Sequence, residues 1–204
     1  MIHTISKKYI KRGLGVAVLA AAAIGLASCG PTAKRQTQMA SVADAKPFSG
    51  PQSVAFAGKL WRAMEANKLV GKNAIIGFPY EGNKPHGAWL ENLETDIEVN
   101  GRVGHIIVKN NYGPSADVDP ETIMTNRLKH LGAVTVMFRR EAGYDAQNKN
   151  WFWAKYLPDG SLDKNPNGMQ LAGRVAKGAP KGCIACHTGA PGGDMVFSHD
   201  RFAR

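Results

Sequence analysis

Cys183, Cys186 and His187 stand in the order C-x-x-C-H. Two thiols three positions apart fall on one helical turn, and the next residue can aim its imidazole the same way. That spacing suits the two vinyl groups and the iron of a haem, with thioethers at the cysteines and His187 as axial ligand. A redox C-x-x-C needs no histidine. A four-ligand zinc site needs more donors, and the only other cysteine is Cys29. One covalent haem c on Cys183, Cys186 and His187 is the cofactor this motif predicts. The other ring nitrogen of His187 should donate to a carbonyl or carboxylate, which sets the ligand's basicity. Only 17 residues follow His187, and Met195 lies just eight positions beyond it. That is too close to loop over a haem, so a sixth ligand must come from upstream or the position stays open. An open iron binds small ligands, whereas a filled one mainly passes electrons.

The N-terminus carries a different signal. Lys7, Lys8, Lys11 and Arg12 precede an uncharged, largely small-apolar run of 15 residues from Gly13 to Ala27. A membrane span needs about 20 residues, but a signal-peptide core is shorter. The run ends in Leu26-Ala27-Ser28-Cys29, which resembles the lipobox of bacterial lipoproteins, with Cys29 as the lipidated residue. Gly30 follows, and a residue other than Asp there implies the outer membrane of a Gram-negative cell. The expected location is the periplasmic side of that membrane, through an N-terminal lipid. The full chain has 204 residues and a formal charge of +10. Removing residues 1–28 lowers the charge to +6, and the remaining cations are scattered. Nucleic acid is therefore excluded as a partner. The cysteines divide without remainder, one for lipid and two for haem.

Residues 29–50 read as a flexible tether and 51–204 as one domain. Ser53 to Val70 has helical apolar spacing, with Ser53 as cap and Gly71 as stop. Leu93, Thr95, Ile97 and Val99 alternate with acidic residues, and Asn100-Gly101 then predicts a type I′ hairpin returning through Val103 to Lys109. Asp119-Pro120 starts a second helix, expected to run to Leu131 and stop at Gly132. Residues 133–140 and 151–157 are apolar and β-rich, and read as strands. Residues 161–182 read mostly as loop. The fold class is α+β: an antiparallel sheet with flanking short helices and a C-terminal haem-binding segment.

The haem motif together with Asp194-Met195-Val196-Phe197, Trp151-Phe152-Trp153, Gly143-Tyr144-Asp145, Ile106-Ile107-Val108-Lys109 and Pro85-His86-Gly87 resembles the cytochrome P-460 family, which includes the cytochromes c′-β. The resemblance runs from about Phe56 to Arg201. It implies an antiparallel sheet with flanking helices, a homodimer, and five-coordinate iron held by the motif histidine. P-460 members carry a lysine–haem bond and oxidise hydroxylamine; c′-β members lack the bond and bind nitric oxide or carbon monoxide. Lys109 matches the cross-linking lysine. Thr135 is the nearest match to the distal carboxylate of the P-460 enzymes, and Met137 takes that place if the alignment slips by two. A threonine can hydrogen-bond a ligand but cannot act as a base near neutral pH. That departure moves the expectation from hydroxylamine oxidation toward gas binding.

Among the other residues, His86 and His105 could each approach the distal iron or simply be structural. His130 suits a helix C-terminus. Trp61, Trp89, Trp151 and Trp153 suit the core or haem packing. Asp194 either orients the haem-binding segment or is a plain turn residue. Three functions stay open: a cytochrome binding or oxidising small nitrogen species, an electron carrier with a filled sixth position such as His86, and a gas sensor or scavenger without turnover. The redox partner is not specified by the sequence.

Overall fold

The computed structural model describes residues 46–113 and 118–197. Cys29 and the lipobox lie outside the described residues, as do Ser198–Arg204. No helix among the described residues is long and apolar enough to cross a membrane.

Six antiparallel strands follow one another in chain order as a meander: β1 (Tyr80–Glu81), β2 (Trp89–Val99), β3 (Arg102–Tyr112), β4 (Leu131–Arg139), β5 (Trp151–Tyr156) and β6 (Ala172–Gly173). The turn between β2 and β3 has Asn100 at φ 57° and Gly101 at φ 76°, as a type I′ hairpin requires. Both strands extend beyond the expected segments, so the ladder pairs Trp89 with Tyr112 at one end and Val99 with Arg102 at the other.

The two faces of the sheet serve different ends. One carries Ile106, Val108, Val134, Val136, Phe138, Phe152, Ala154 and Tyr156, covered by α1 (Pro51–Ala66). Phe56 meets Phe152 edge-on at 4.8 Å, and the Tyr156 hydroxyl donates to the Ala57 carbonyl at 2.9 Å. The opposite face carries Ile107, Met137, Trp151 and Trp153, which pack with Val175, Ile184, Met195 and Val196. Successive strand residues point to opposite faces. The sheet therefore builds a core on one side and a site on the other.

The helices differ from expectation at their ends. Ser53 does not cap α1. The cap is Gly50, with Pro51 in the first turn, and Ser53 is buried inside the helix. Proline fits there because the first-turn N–H has no helical acceptor to lose. The second expected helix is two short ones, α2 (Pro120–Thr125) and α3 (Arg127–His130). Asp119 caps α2 as expected, accepting from Thr122 N at 2.6 Å. Asn126 breaks the run at φ −150° and caps α3 through its side chain, and β4 begins at Leu131, ahead of Gly132. The expected loop at 161–182 contains β6, onto which the chain before α1 also packs. Phe48 bridges Gly173, and Ser49 N donates to Ala172 O at 2.9 Å. Ordered packing therefore begins ahead of residue 51.

Candidate haem site

His187 sits near the end of α4 (Cys183–His187), a single turn whose first residue follows Gly182. Gly182 has φ 127°, and a Cβ there would lie 2.3 Å from the Ala176 Cβ. Only glycine lets the chain enter the turn at that point. Residues 194–196 hold the turn from outside. The Asp194 carboxylate accepts from Val196 N at 3.0 Å, and its carbonyl accepts from Trp151 Nε1 at 2.8 Å. Met195 is held in the left-handed region at φ 69°, and its carbonyl lies 2.8 Å from His187 Nδ1. Nδ1 is therefore the donor nitrogen, and Nε2 is left for a metal. The Asp194 side chain thus closes a turn onto Val196, and its backbone ties that turn to Trp151 on β5; both roles the sequence allowed, orienting residue and plain turn residue, remain compatible with these contacts. Burial holds the His187 pKa below the ordinary histidine value, and its hydrogen bond to Met195 opposes the shift. Burial also raises the Cys183 thiol.

Cys183, Cys186 and His187 line a cavity of about 1100 Å³. Pockets for drug-sized ligands span about 300–1,000 Å³, so there is room for a macrocycle. The sheet supplies the facing wall in two rows. One pairs Ile107 with Met137 and Met137 with Trp153; the next pairs Lys109 with Thr135 and Thr135 with Lys155. Lys109 shares its face with Ile107, as strand alternation predicts. Thr135 and Met137 both line the cavity. Met137 is in the apolar cluster with Trp153 and Ile184, and Thr135 lies in the polar row.

His86 reaches the same cavity from the segment between β1 and β2. That loop is closed by Gly82 N to Ala88 O at 2.7 Å and His86 N to Asn83 O at 3.0 Å. His86 Nδ1 is 3.5 Å from Thr135 Oγ1, and its ring centre is 6.2 Å from that of His187, with the planes perpendicular. Burial, then the charges of Lys109 and His187, lower its pKa to about 4. The imidazole is therefore neutral at neutral pH. The His187 ring is approached by Trp153 at 4.8 Å and by Phe197 at 5.3 Å.

The other aromatic and histidine candidates lie elsewhere. His105 is outside the cavity lining, held between Asp96 and Glu94 at 2.9 and 2.8 Å. This removes it from the distal side. His130 ends α3. Trp61 packs on Tyr156 at the far face, and Trp151 lies beneath Arg139. Trp89 is on β2, next to β1.

Three lining residues escaped the sequence reading. Asn111 lies two positions beyond Lys109 on the same strand face, where period 2 could have found it. It donates to Ala133 O at 3.1 Å and Thr135 Oγ1 at 3.3 Å. Lys155 faces Thr135 across β5, and strand pairing alone reveals it. Glu81 is the only carboxylate lining the cavity among the described residues, on a two-residue strand with no periodic signal.

The donor set fits a haem. Two thiols and one imidazole nitrogen stand together, the lining is largely apolar, and Lys84 and Lys181 on its rim are cations of the kind that meet the carboxylates of a haem, while Lys155 is paired with Asp163 at 2.8 Å. One buried polar atom on a lining residue, Trp153 Nε1, has no hydrogen-bond partner. Buried groups of this kind are nearly always paired, so it fits a site built to meet a further group. A C-x-x-C-H turn set against an antiparallel sheet defines a c-type haem protein. The chain belongs to the cytochrome P460 family, whose family model matches residues 95–198, half of the chain. It is thus a c-type cytochrome of α+β fold with haem c as its cofactor. No curated protein and no solved structure shows a significant match to the chain.

Proposed function

We propose that this cytochrome carries one haem, bonded to Cys183 and Cys186 with His187 on the iron, and that its distal side binds a small nitrogen species such as nitric oxide or hydroxylamine. One observation supports this reading best: the motif wall and a polar group of His86, Lys109, Thr135 and Asn111 line one cavity. The haem supplies the redox chemistry and the affinity for diatomic ligands. The chain's own residues exclude bulk water and offer hydrogen bonds to a bound ligand. Thr135 and Asn111 can do so, but neither is a base near neutral pH. Among the described residues the only carboxylate lining the cavity is that of Glu81, which is exposed on the edge strand away from the Thr135 row, so binding is favoured over rapid turnover.

Lys109 is assigned to the haem edge. If it bonds the macrocycle, the reduced Soret band is strongly red-shifted in wild type and returns to the ordinary haem c position in Lys109→Arg. Identical spectra in the two proteins would remove the bond. The mature protein is a homodimer held by an N-terminal lipid on Cys29 at the periplasmic face of the outer membrane, where it exchanges electrons with a redox partner. The family resemblance supports the dimer and the lipobox supports the anchor.

The reading is tested by mass spectrometry of protein matured in a host that attaches haem, followed by titration of the reduced form with carbon monoxide and nitric oxide. One haem mass per chain and saturable spectral shifts are expected. The competing reading, electron carriage by an iron whose sixth ligand never leaves, predicts no shift.

A further inference from the structure

We infer that the indole N–H of Trp153 donates a hydrogen bond to a propionate carboxylate of the haem, an inference that rests on the haem reading above. Trp153 is 3% exposed, and its Nε1 has no hydrogen-bond partner among the described residues. It lines the cavity that Cys183, Cys186 and His187 also line. An indole nitrogen is a donor only, so its need is for an acceptor. Buried donors are nearly always paired in folded proteins.

The chain gives one tryptophan of β5 a partner and leaves the next without. Trp151, two positions earlier on the same strand face, donates to the Asp194 carbonyl at 2.8 Å. Trp153 is flanked by Met137 on β4 and Gly173 on β6, and it packs with Ile107, Val175, Ile184 and Val196. None of those side chains offers an oxygen. Tryptophan suits a buried place only when its N–H has a destination. Phenylalanine fills an apolar place without a donor, as Phe152 does on the other face of the sheet.

The acceptor follows from the chemistry of the group that the cavity fits. The four ring nitrogens of a haem are bound to iron, and its only oxygens are those of two propionates. A small molecule on the iron is the other acceptor, but it binds on the face opposite His187. Trp153 stands against the His187 ring itself, edge-on at 4.8 Å. A donor on the His187 side meets a propionate and not the bound ligand. Lys155, the next residue on this face of β5, already has its charge matched by Asp163 at 2.8 Å. Lys84 and Lys181 are exposed on the rim, where water competes for the same carboxylates. The indole is therefore the buried contact, and a hydrogen bond to a charged acceptor out of water is a strong one. It draws negative charge away from the surroundings of the iron and favours the ferrous state. Trp153 is thus a positioning residue that sets the potential without touching the iron.

The test uses full-length holoprotein and Trp153→Phe, which keeps an aromatic ring and removes the donor. Resonance Raman of wild type should show a propionate bending mode that shifts in deuterium oxide, and Trp153→Phe should lose the shift of one propionate. The reduction potential should fall in the variant, moving the ferric–ferrous balance toward ferric by about threefold or more, because an uncompensated carboxylate stabilises the oxidised iron. Trp61→Phe, against Tyr156 on the far face, should change neither reading. A merely structural Trp153 would lower stability or haem content and leave both readings in place, and that result overturns the inference. An unchanged potential with an altered C–O stretch in the carbon monoxide complex also overturns it, because the N–H then serves the iron-bound ligand. Should Trp153→Phe fold poorly, wild type labelled with 15N at tryptophan still decides. One of the four indole N–H resonances should move strongly between ferrous and ferric protein, and four that do not move overturn the inference. Protein without covalent haem by mass fails the haem reading and this inference together. Haem present, with no deuterium-sensitive propionate, fails this inference alone.

Discussion

At the scale of single residues, the site and its support are separate clusters on opposite faces of one sheet. Glu91 on β2 is almost fully buried on the face away from the haem cavity. It accepts from Tyr112, Asn110, Gly77 N and Arg127, and so ties the segment before β1 and the start of α3 to the sheet. Burial, then the Glu91 carboxylate, pushes the Tyr112 hydroxyl pKa up. Truncating one partner of a buried ion pair leaves the other charge unpaired, at a cost of about 3–5 kcal/mol. Glu91→Ala should lose about that much in urea unfolding. A loss near 1 kcal/mol would show that water reaches Arg127 and that the pair is not what holds these segments. The chemistry of the site was legible in the sequence at Cys183, Cys186 and His187, because both the spacing and the residue types are specific. The partner of His187 was not. Any carbonyl can accept from Nδ1, and only the backbone of Met195 in its left-handed conformation shows which one does.

At the scale of elements, the hairpin and the sheet were legible and the smallest pieces were not. Asn100-Gly101 names its own turn, since both positions need φ above zero. β1 and β6 have two residues each, too short for any period, and they exist because neighbouring strands offer free edges. Asn126 splits α2 from α3 by offering its side chain as a new cap, a local competition that apolar spacing does not record. Glycine substitutions separate turn from site. Gly101→Ala places a Cβ in open space and meets only the left-handed backbone penalty, about 1–2 kcal/mol by thermal unfolding. Gly182→Ala adds a close contact with Ala176 at the entry to α4. It should cost more stability than Gly101→Ala and lower the haem attached per chain, measured by absorbance against protein mass. Equal haem content in the two variants would mean that the entry geometry of α4 does not matter to attachment.

At the scale of the whole molecule, a short meander gives the cavity three independent suppliers. The C-terminal segment brings the motif, the sheet face brings Lys109, Thr135 and Met137, and the loop before β2 brings His86. These lie far apart in the chain, so no local pattern could show that His86 and His187 meet while His105 stays outside. The anchor is a separate expectation. Cys29→Ser should abolish incorporation of labelled fatty acid and release the holoprotein to the soluble fraction with its haem spectrum unchanged. Continued labelling would place the lipid elsewhere. Sedimentation of that soluble form should give twice the chain mass, and a single-chain mass would remove the homodimer.

Whether the iron is open to small ligands is decided by a carbon monoxide titration of the reduced holoprotein, followed by absorption. A saturable Soret shift is expected. A reduced spectrum that does not move at saturating gas would overturn ligand binding, leaving an iron closed to small ligands and a protein that only passes electrons.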